Sequence, residues 1–280
     1  MRIFVGLVIS CFSCFSLHAQ VNKFSNPVLI KYLKANSRYN NRKANVLSGF
    51  SRTPAGHWGE FVKGVKTNFV TNRKVVAFTF DACGGKGRGR AYNADLINFL
   101  RKEKVPATLF VTGLWIDENY KSFLDLARDT LFEIENHGLN HRPCSSKGAS
   151  IYGIRGTRNI ADAYDEVEAN AEKIRLITGR RPLIYRSATA YTDEKSVQMA
   201  SKLGISVISF SILSGDAMAK TPTNILVSNV MDHIKPGSII IMHFNHPENK
   251  TYSALQTIIP ELRRQGYSFV KLGRMPLKEK

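Results

Sequence analysis

Five polar side chains suited to acid–base or metal chemistry each follow a different apolar run of the sequence. They are Asp81, His137, Arg186, Asp216 and His243. Carboxylates, imidazoles and guanidinium groups transfer protons, hold cations and orient one another through ion pairs. One such residue after an apolar run is common, but five at the same kind of position predict a shared active site.

His137 and His141 form a second pattern, with three residues between the two imidazoles. In a helical turn this spacing places both side chains on one face, where they can bind a single cation. The simpler interpretation is two unrelated histidines on a surface loop. Their position just after an apolar run favours the metal site.

The elements that must position these residues are short apolar runs separated by amphipathic segments. The runs are 75–80, 107–113, 131–135, 183–185, 205–212, 238–242 and 267–270. The segments between them place apolar residues at helical spacing, and several end in glycine. This alternation predicts an α/β fold with a parallel sheet, whose carboxyl edge collects the five side chains. Periodicity alone leaves a doubly wound sheet and a (β/α) barrel open.

Composition divides the chain into three parts. Residues 1–19 have an early arginine, an apolar stretch and a small residue at the end, which is the layout of a signal peptide. Residues 20–71 are polar and are expected to form an N-terminal extension that packs on the larger domain, residues 72–280. We therefore expect an exported protein, periplasmic or extracellular. No membrane span is expected, because no later segment is apolar for long enough.

The charge balance is strongly basic. The chain has 40 Lys and Arg against 22 Asp and Glu, a formal net charge of +18. This favours an anionic surrounding such as a cell envelope surface. The basic residues are scattered rather than clustered with aromatics, which argues against nucleic-acid binding.

The five segments resemble the motifs of the polysaccharide deacetylase family, which is carbohydrate esterase family four or the NodB homology domain, over about residues 72–272. TFDAC (79–83) resembles the family's T-F-D-D-G, and HGLNHRP (137–143) resembles its histidine motif with one extra residue before the proline. The remaining three motifs are resembled by YRSATAY (185–191), SILSGDA (211–217) and IIIMH (239–243).

This resemblance implies a distorted (β/α) barrel of the deacetylase type with an N-terminal extension. The implied activity is hydrolysis of N-acetyl groups on glycans such as peptidoglycan or chitin-like polymers. Asp81 takes the place of the catalytic base, oriented by Arg186, and His243 that of the catalytic acid, oriented by Asp216. The simpler interpretation of Arg186 and Asp216 is an ordinary structural ion pair.

The resemblance also places a divalent cation, with zinc the first choice, on His137 and His141. The family's third ligand is an aspartate, and this chain has Ala82 instead. A zinc site usually has three protein ligands, so we expect weakened metal binding completed by water or by Asp81.

Cys83 and Cys144 are the only cysteines after the signal segment. Each lies two or three residues beyond a predicted site residue, and an exported protein encounters oxidising conditions, so a disulfide between them is expected. The rival interpretation is that Cys83 is a thiolate ligand replacing the missing carboxylate.

Two other functions stay open. A relative that binds glycan without hydrolysing it fits the loss of the aspartate at Ala82 and of the family's tryptophan at Ala217. An amide hydrolase for a small non-sugar substrate is the other alternative.

Overall fold

The computed structural model describes residues 22–85 and 87–280, without the side chains of residues 87 and 88. The predicted signal segment, residues 1–19, lies outside the described residues. The described chain forms helices α1 (Asn26–Ala35), α2 (Ser37–Ser48), α3 (Ala94–Lys102), α4 (Gly113–Glu118), α5 (Tyr120–Arg128), α6 (Ile160–Thr178), α7 (Glu194–Lys202), α8 (Thr223–Met231) and α9 (Thr251–Arg264). Short 3-10 helices occupy Gly87–Arg90, Ala188–Ala190 and Leu272–Arg274.

Most strands of the chain are short. They are β1 (Trp58–Gly59), β2 (Asn68–Phe69), β3 (Val75–Ala82), β4 (Ala107–Val111), β5 (Phe132–Asn136), β6 (Ser150–Ile151), β7 (Ile154–Arg155), β8 (Ile184–Tyr185), β9 (Thr192–Asp193), β10 (Ser206–Val207), β11 (Ile212–Leu213), β12 (Ile239–His243), β13 (Ser268–Phe269) and β14 (Leu277–Lys278).

A single parallel sheet forms the centre of the fold. Its strand order is β10-β8-β5-β4-β3-β12-β11, and β13 pairs with the beginning of β3. The sheet curls into a half-barrel. The predicted α/β fold is therefore confirmed. Periodicity left a doubly wound sheet and a barrel open, and the structure has the barrel type, as a half-barrel that is not closed.

The residues between β10 and β11 cross the opening of the half-barrel. These two strands are the opposite edges of the sheet, and only residues 208–211 connect them. The backbone N–H of Ser209 donates to the carbonyl of Lys66, and the N–H of Lys66 donates to the carbonyl of Val207. The predicted single strand over 205–212 is therefore wrong, because the chain leaves one sheet edge and joins the other within that run.

The central strand β3 is buried at every position, which is why its sequence reads as an apolar run. Alternate side chains of a strand point to opposite faces. Phe78, Phe80 and Ala82 belong to the main apolar cluster, which also contains helix residues. Thr79 and Asp81 therefore point to the opposite face, inside the curl.

The N-terminal residues contain two helices that the sequence did not predict. α1 and α2 contact α6, and β1 and β2 pair with β9 and β14. Few of their side chains are buried, among them Leu29, Leu33 and Tyr39, so most of each helix is polar and the periodicity is weak. Among the described helices, none has the length and apolar character needed to cross a membrane.

Lys173 of α6 connects the beginning of α1 to α4. Its side chain is completely buried, and its ammonium group donates to Asn26 Oδ1, to the Gly113 carbonyl and to Asp117. Burial lowers the pKa of Lys173 to about 8, although Asp117 opposes this shift. Three segments of the chain therefore depend on one buried cation.

We expect Lys173→Met to lower the free energy of unfolding by about 3 kcal/mol, because it leaves buried acceptors without a donor. Urea unfolding followed by circular dichroism measures the loss. Lys43→Met is the matched control. It removes the more exposed ion pair with Asp165 and should cost less than about 1 kcal/mol. Equal losses in the two variants would contradict the role given to Lys173.

Candidate active site

The site lies inside the curl, at the carboxyl ends of the central strands. Asp81 of β3 and His243 of β12 are direct partners in the register of the two strands. Side chains at the same register on neighbouring strands project to the same face. Asp81 and His243 are therefore adjacent on the inner face of the sheet.

Arg186 follows β8 and fixes the Asp81 carboxylate. Its Nη1 donates to Asp81 Oδ1 over 2.7 Å, and its Nη2 donates to the Thr79 hydroxyl and the Ser209 carbonyl, each over 2.9 Å. The guanidinium carbon lies 4.5 Å from the centre of the Phe110 ring. Arg186 is wholly buried and Asp81 is 2% exposed, so solvent screens this ion pair little.

Asp216, just beyond β11, orients His243 in a corresponding way. Its Oδ1 accepts from His243 Nδ1 over 2.9 Å, and its Oδ2 accepts from the His243 backbone N–H over 2.7 Å. The hydroxyls of Ser214 and Thr251 also donate to this carboxylate. With Nδ1 bound to Asp216, Nε2 is the ring nitrogen left to act on a substrate.

The electrostatics of this second pair favour a protonated imidazole. Burial opposes protonation, but the Asp216 carboxylate outweighs it and raises the pKa of His243 well above its ordinary value. Arg186 and Asp216 belong to separate pairs. Arg186 pairs with Asp81 and Asp216 pairs with His243.

His137 and His141 are brought together, although not by a helix. Residues 137–141 form a loop, in which Gly138 has a φ of 89° and His141 a φ of 54°. The predicted helical turn is therefore wrong. The two imidazole rings are 5.1 Å apart. His137 Nδ1 lies 2.9 Å from the Arg186 carbonyl, which only accepts, so Nε2 keeps its lone pair for a cation.

Glu166 of α6 holds the histidine loop and was missed by the sequence analysis. It is 2% exposed, and its Oε1 accepts from the backbone N–H groups of Asn140 and Arg142, the two neighbours of His141. Because Glu166 lies in an amphipathic helix far along the sequence, no local signal distinguishes it from an ordinary helical carboxylate.

The disulfide predicted between Cys83 and Cys144 is not formed. Both of these described cysteines are free thiols. Cys144 Sγ is buried 3.1 Å from the Tyr185 hydroxyl, and burial raises the pKa of the Cys144 thiol. Cys83 Sγ instead lies 3.9 Å from His137 Nε2. Each sulfur therefore has its own partner.

The six predicted site residues form one continuous constellation. His137 Nε2 is 3.6 Å from Asp81 Oδ2, which links the histidine loop to the first ion pair. His243 stands beside Asp81 and brings Asp216 with it. Cys83 adds a sulfur that faces the imidazoles. Burial opposes ionisation of Cys83, but His141, His137 and His243 hold the thiol pKa well below its ordinary value.

A curled parallel sheet with paired acidic and basic groups at its carboxyl edge carries the groups that a hydrolase needs for proton transfer. The family model for polysaccharide deacetylase matches residues 69–208, and the chain belongs to this family. It is accordingly a hydrolase acting on carbon–nitrogen bonds.

The chain is similar to individual proteins of this family. A peptidoglycan-N-acetylglucosamine deacetylase of Bacillus cereus is 26% identical over 216 residues, which cover 75% of this chain and 93% of the relative. The crystal structure of a peptidoglycan N-acetylglucosamine deacetylase matches with a TM-score of 0.64 at 21% identity, covering 76% and 92%. A family four pseudoenzyme from Bacillus anthracis matches with a TM-score of 0.62 at 20% identity, covering 83% and 79%. The two structural matches show the fold.

We expect Asp216→Asn to lower the pKa of His243, because it removes the carboxylate that favours the imidazolium. A raised folded-state pKa stabilises the fold below the unfolded value and loses that contribution as the pH rises through the folded value. The variant should therefore lose stability mainly at acidic and neutral pH. NMR titration of the imidazole signals measures the pKa directly. Asp232→Asn, at an exposed carboxylate, is the control and should leave His243 unchanged. An unshifted His243 in Asp216→Asn would contradict this account.

Proposed function

We propose that the chain is an exported, metal-assisted deacetylase that removes acetyl groups from N-acetylated glycans. The observation that carries the proposal is the pair Asp81 and His243, adjacent in register and each held by its own buried partner. Arg186 donates to the Asp81 carboxylate and holds it in place, and Asp216 favours the cationic form of His243. Amide hydrolysis needs this combination of one base and one acid.

In the proposed reaction, Asp81 accepts a proton from a water molecule while the water oxygen bonds to the acetyl carbonyl carbon. Arg186 occupies Oδ1 of the carboxylate, so Oδ2, which faces His137, is the oxygen that takes the proton. His243 then donates its Nε2 proton to the amide nitrogen as the C–N bond breaks. The products are acetate and a free amine on the sugar.

The histidine loop fits a divalent cation. Nitrogen atoms of His137 and His141 lie within a cluster whose candidate ligand atoms are all within 4.8 Å of one another. The contact between His137 Nδ1 and the Arg186 carbonyl places a ring proton on Nδ1, so that Nε2 is the nitrogen that faces the cluster. Family four enzymes are metal-dependent. When bound here, a cation such as zinc supplies a Lewis acid that polarises the acetyl carbonyl.

The surroundings proposed for this activity are the cell envelope or the extracellular space. The signal-peptide layout of residues 1–19 supports export, and the net charge of +18 supports contact with an anionic envelope polymer. The relatives named as peptidoglycan deacetylases support an N-acetylated envelope glycan as substrate. A chitin-like polymer presents the same acetamido group.

Two observations favour a second function, glycan binding without hydrolysis. Ala82 lacks the carboxylate of the family motif, and structural relatives include pseudoenzymes. Against it, the base and the partners of both groups are buried, and the partly exposed acid His243 lies beside them. Acetate release from N-acetylated glycans separates the two functions.

We expect Asp81→Asn and His243→Ala each to lower turnover by at least about 100-fold, because each removes a proton-transfer group. Acetate release from a panel of N-acetylated glycans is the measurement. Asp95→Asn and His233→Ala change exposed residues of the same types and serve as matched controls. Near-normal rates in folded Asp81→Asn and His243→Ala would remove the proposed mechanism.

Chelator treatment should abolish most acetate release, and added zinc should restore it, because hydrolysis relies on a Lewis acid. His141→Ala should reduce both the bound zinc and the recovery. We measure zinc content and acetate release on the same samples, with His57→Ala, at an exposed histidine, as the control. Undiminished acetate release from zinc-free protein would show that hydrolysis does not use a metal.

A further inference from the structure

Cys83 occupies the inner face of the sheet next to the histidine loop. Its neighbour Ala82 is fully buried and belongs to the apolar cluster on the other face of β3. A carboxylate lost at Ala82 is therefore not replaced at that position. One residue further along, the chain turns a sulfur toward the imidazoles, with Cys83 Sγ 3.9 Å from His137 Nε2.

The backbone fixes Cys83 in this place. The Thr112 hydroxyl donates to the Cys83 carbonyl over 2.6 Å, and the Thr112 N–H donates to the Ala82 carbonyl. Gly84 follows with a φ of 70°, and a Cβ there would meet the Trp115 backbone at 2.5 Å. The turn after β3 therefore requires glycine and closes tightly against α4. The Cys83 sulfur is held toward the histidines as a result.

The three side chains match a cation site in number and spacing. Sγ of Cys83 and one nitrogen each of His137 and His141 lie within 4.8 Å of one another. Zinc–sulfur and zinc–nitrogen bonds in a tetrahedral site place the sulfur and a nitrogen roughly 3.6 Å apart. The 3.9 Å between Cys83 Sγ and His137 Nε2 is within a few tenths of an ångström of that spacing.

We propose that the Cys83 thiolate is the third protein ligand of the cation, giving a Cys-His-His site in place of the family's Asp-His-His. This rests on the proposed function for the presence of a catalytic cation. Three protein ligands leave one position open, as hydrolytic zinc sites do. With Cys83 as the third ligand, the metal needs no carboxylate from Asp81. The Oδ1 atom of Asp81 stays bound to Arg186, and Asp81 remains available for proton transfer.

The ligand set predicts which metal the protein takes. A thiolate is a soft ligand and favours zinc over hard cations such as magnesium and calcium, which prefer carboxylate and carbonyl oxygens. Cobalt(II) occupies the same kind of site and reports a bound thiolate through a charge-transfer absorption band in the near ultraviolet. This band makes the identity of the third ligand measurable without turnover.

The experiment is a cobalt(II) titration of the full chain after metal removal. We expect the wild type and Cys144→Ser to show the near-ultraviolet band at one cobalt per chain, and Cys83→Ser to lack it. Cys144→Ser is the matched control because Cys144 contacts Tyr185 and lies outside the cluster. Zinc affinity, measured by chelator competition, should fall in Cys83→Ser by at least about tenfold.

Cobalt binding to the wild type without the band would overturn the proposal whatever the folding of the variants, as would a band that persists in Cys83→Ser. Unchanged zinc affinity in Cys83→Ser would overturn it as well. Acetate release measured in parallel separates this proposal from the proposed function. Chelator-sensitive hydrolysis without the absorption band would contradict only the proposal that Cys83 is a ligand. The band without hydrolysis would contradict only the proposed deacetylase function.

Discussion

The fully buried guanidinium of Arg186 is the group on which the site and the centre of the sheet depend. A charge removed from water must be neutralised and hydrogen-bonded, and the two terminal nitrogens of Arg186 achieve this with Asp81, Thr79 and the Ser209 carbonyl. The Phe110 ring stacks against its face. These partners belong to β3, to β4 and to the crossing between the sheet edges. The contacts that neutralise one charge therefore also hold the sheet in its curl and aim the base.

The fold was predictable where local sequence and final environment agree. β3 and β12 are buried on both faces, and continuous apolar runs in a sequence predict such strands. The run over 205–212 is equally apolar, but residues 208–211 leave the sheet and cross between its two edges. This crossing depends on pairing with residues far away in the sequence, such as Lys66. α1 and α2 were missed because their burial is limited to a few side chains.

The candidate site was predictable in its residues and less so in its geometry. Asp81 and His243 follow apolar runs, so the parallel sheet alone brings them to one edge. The loop that carries His141 has a left-handed residue and takes its support from Glu166, and both are tertiary features. Compartment chemistry suggested a disulfide for Cys83, whereas strand alternation and the turn after β3 direct its sulfur to the imidazoles.

The extra residue in the histidine motif, Arg142, connects the site to a more distant part of the surface. Its backbone N–H is bound by Glu166, while its guanidinium donates to the Gly156 carbonyl over 2.7 Å and lies 3.6 Å from Asp162. Gly156 directly follows the β6–β7 hairpin. The inserted residue, which directly follows His141, thus contacts the end of the hairpin through its side chain. The contacts of this one side chain therefore connect the outer surface to the histidine loop.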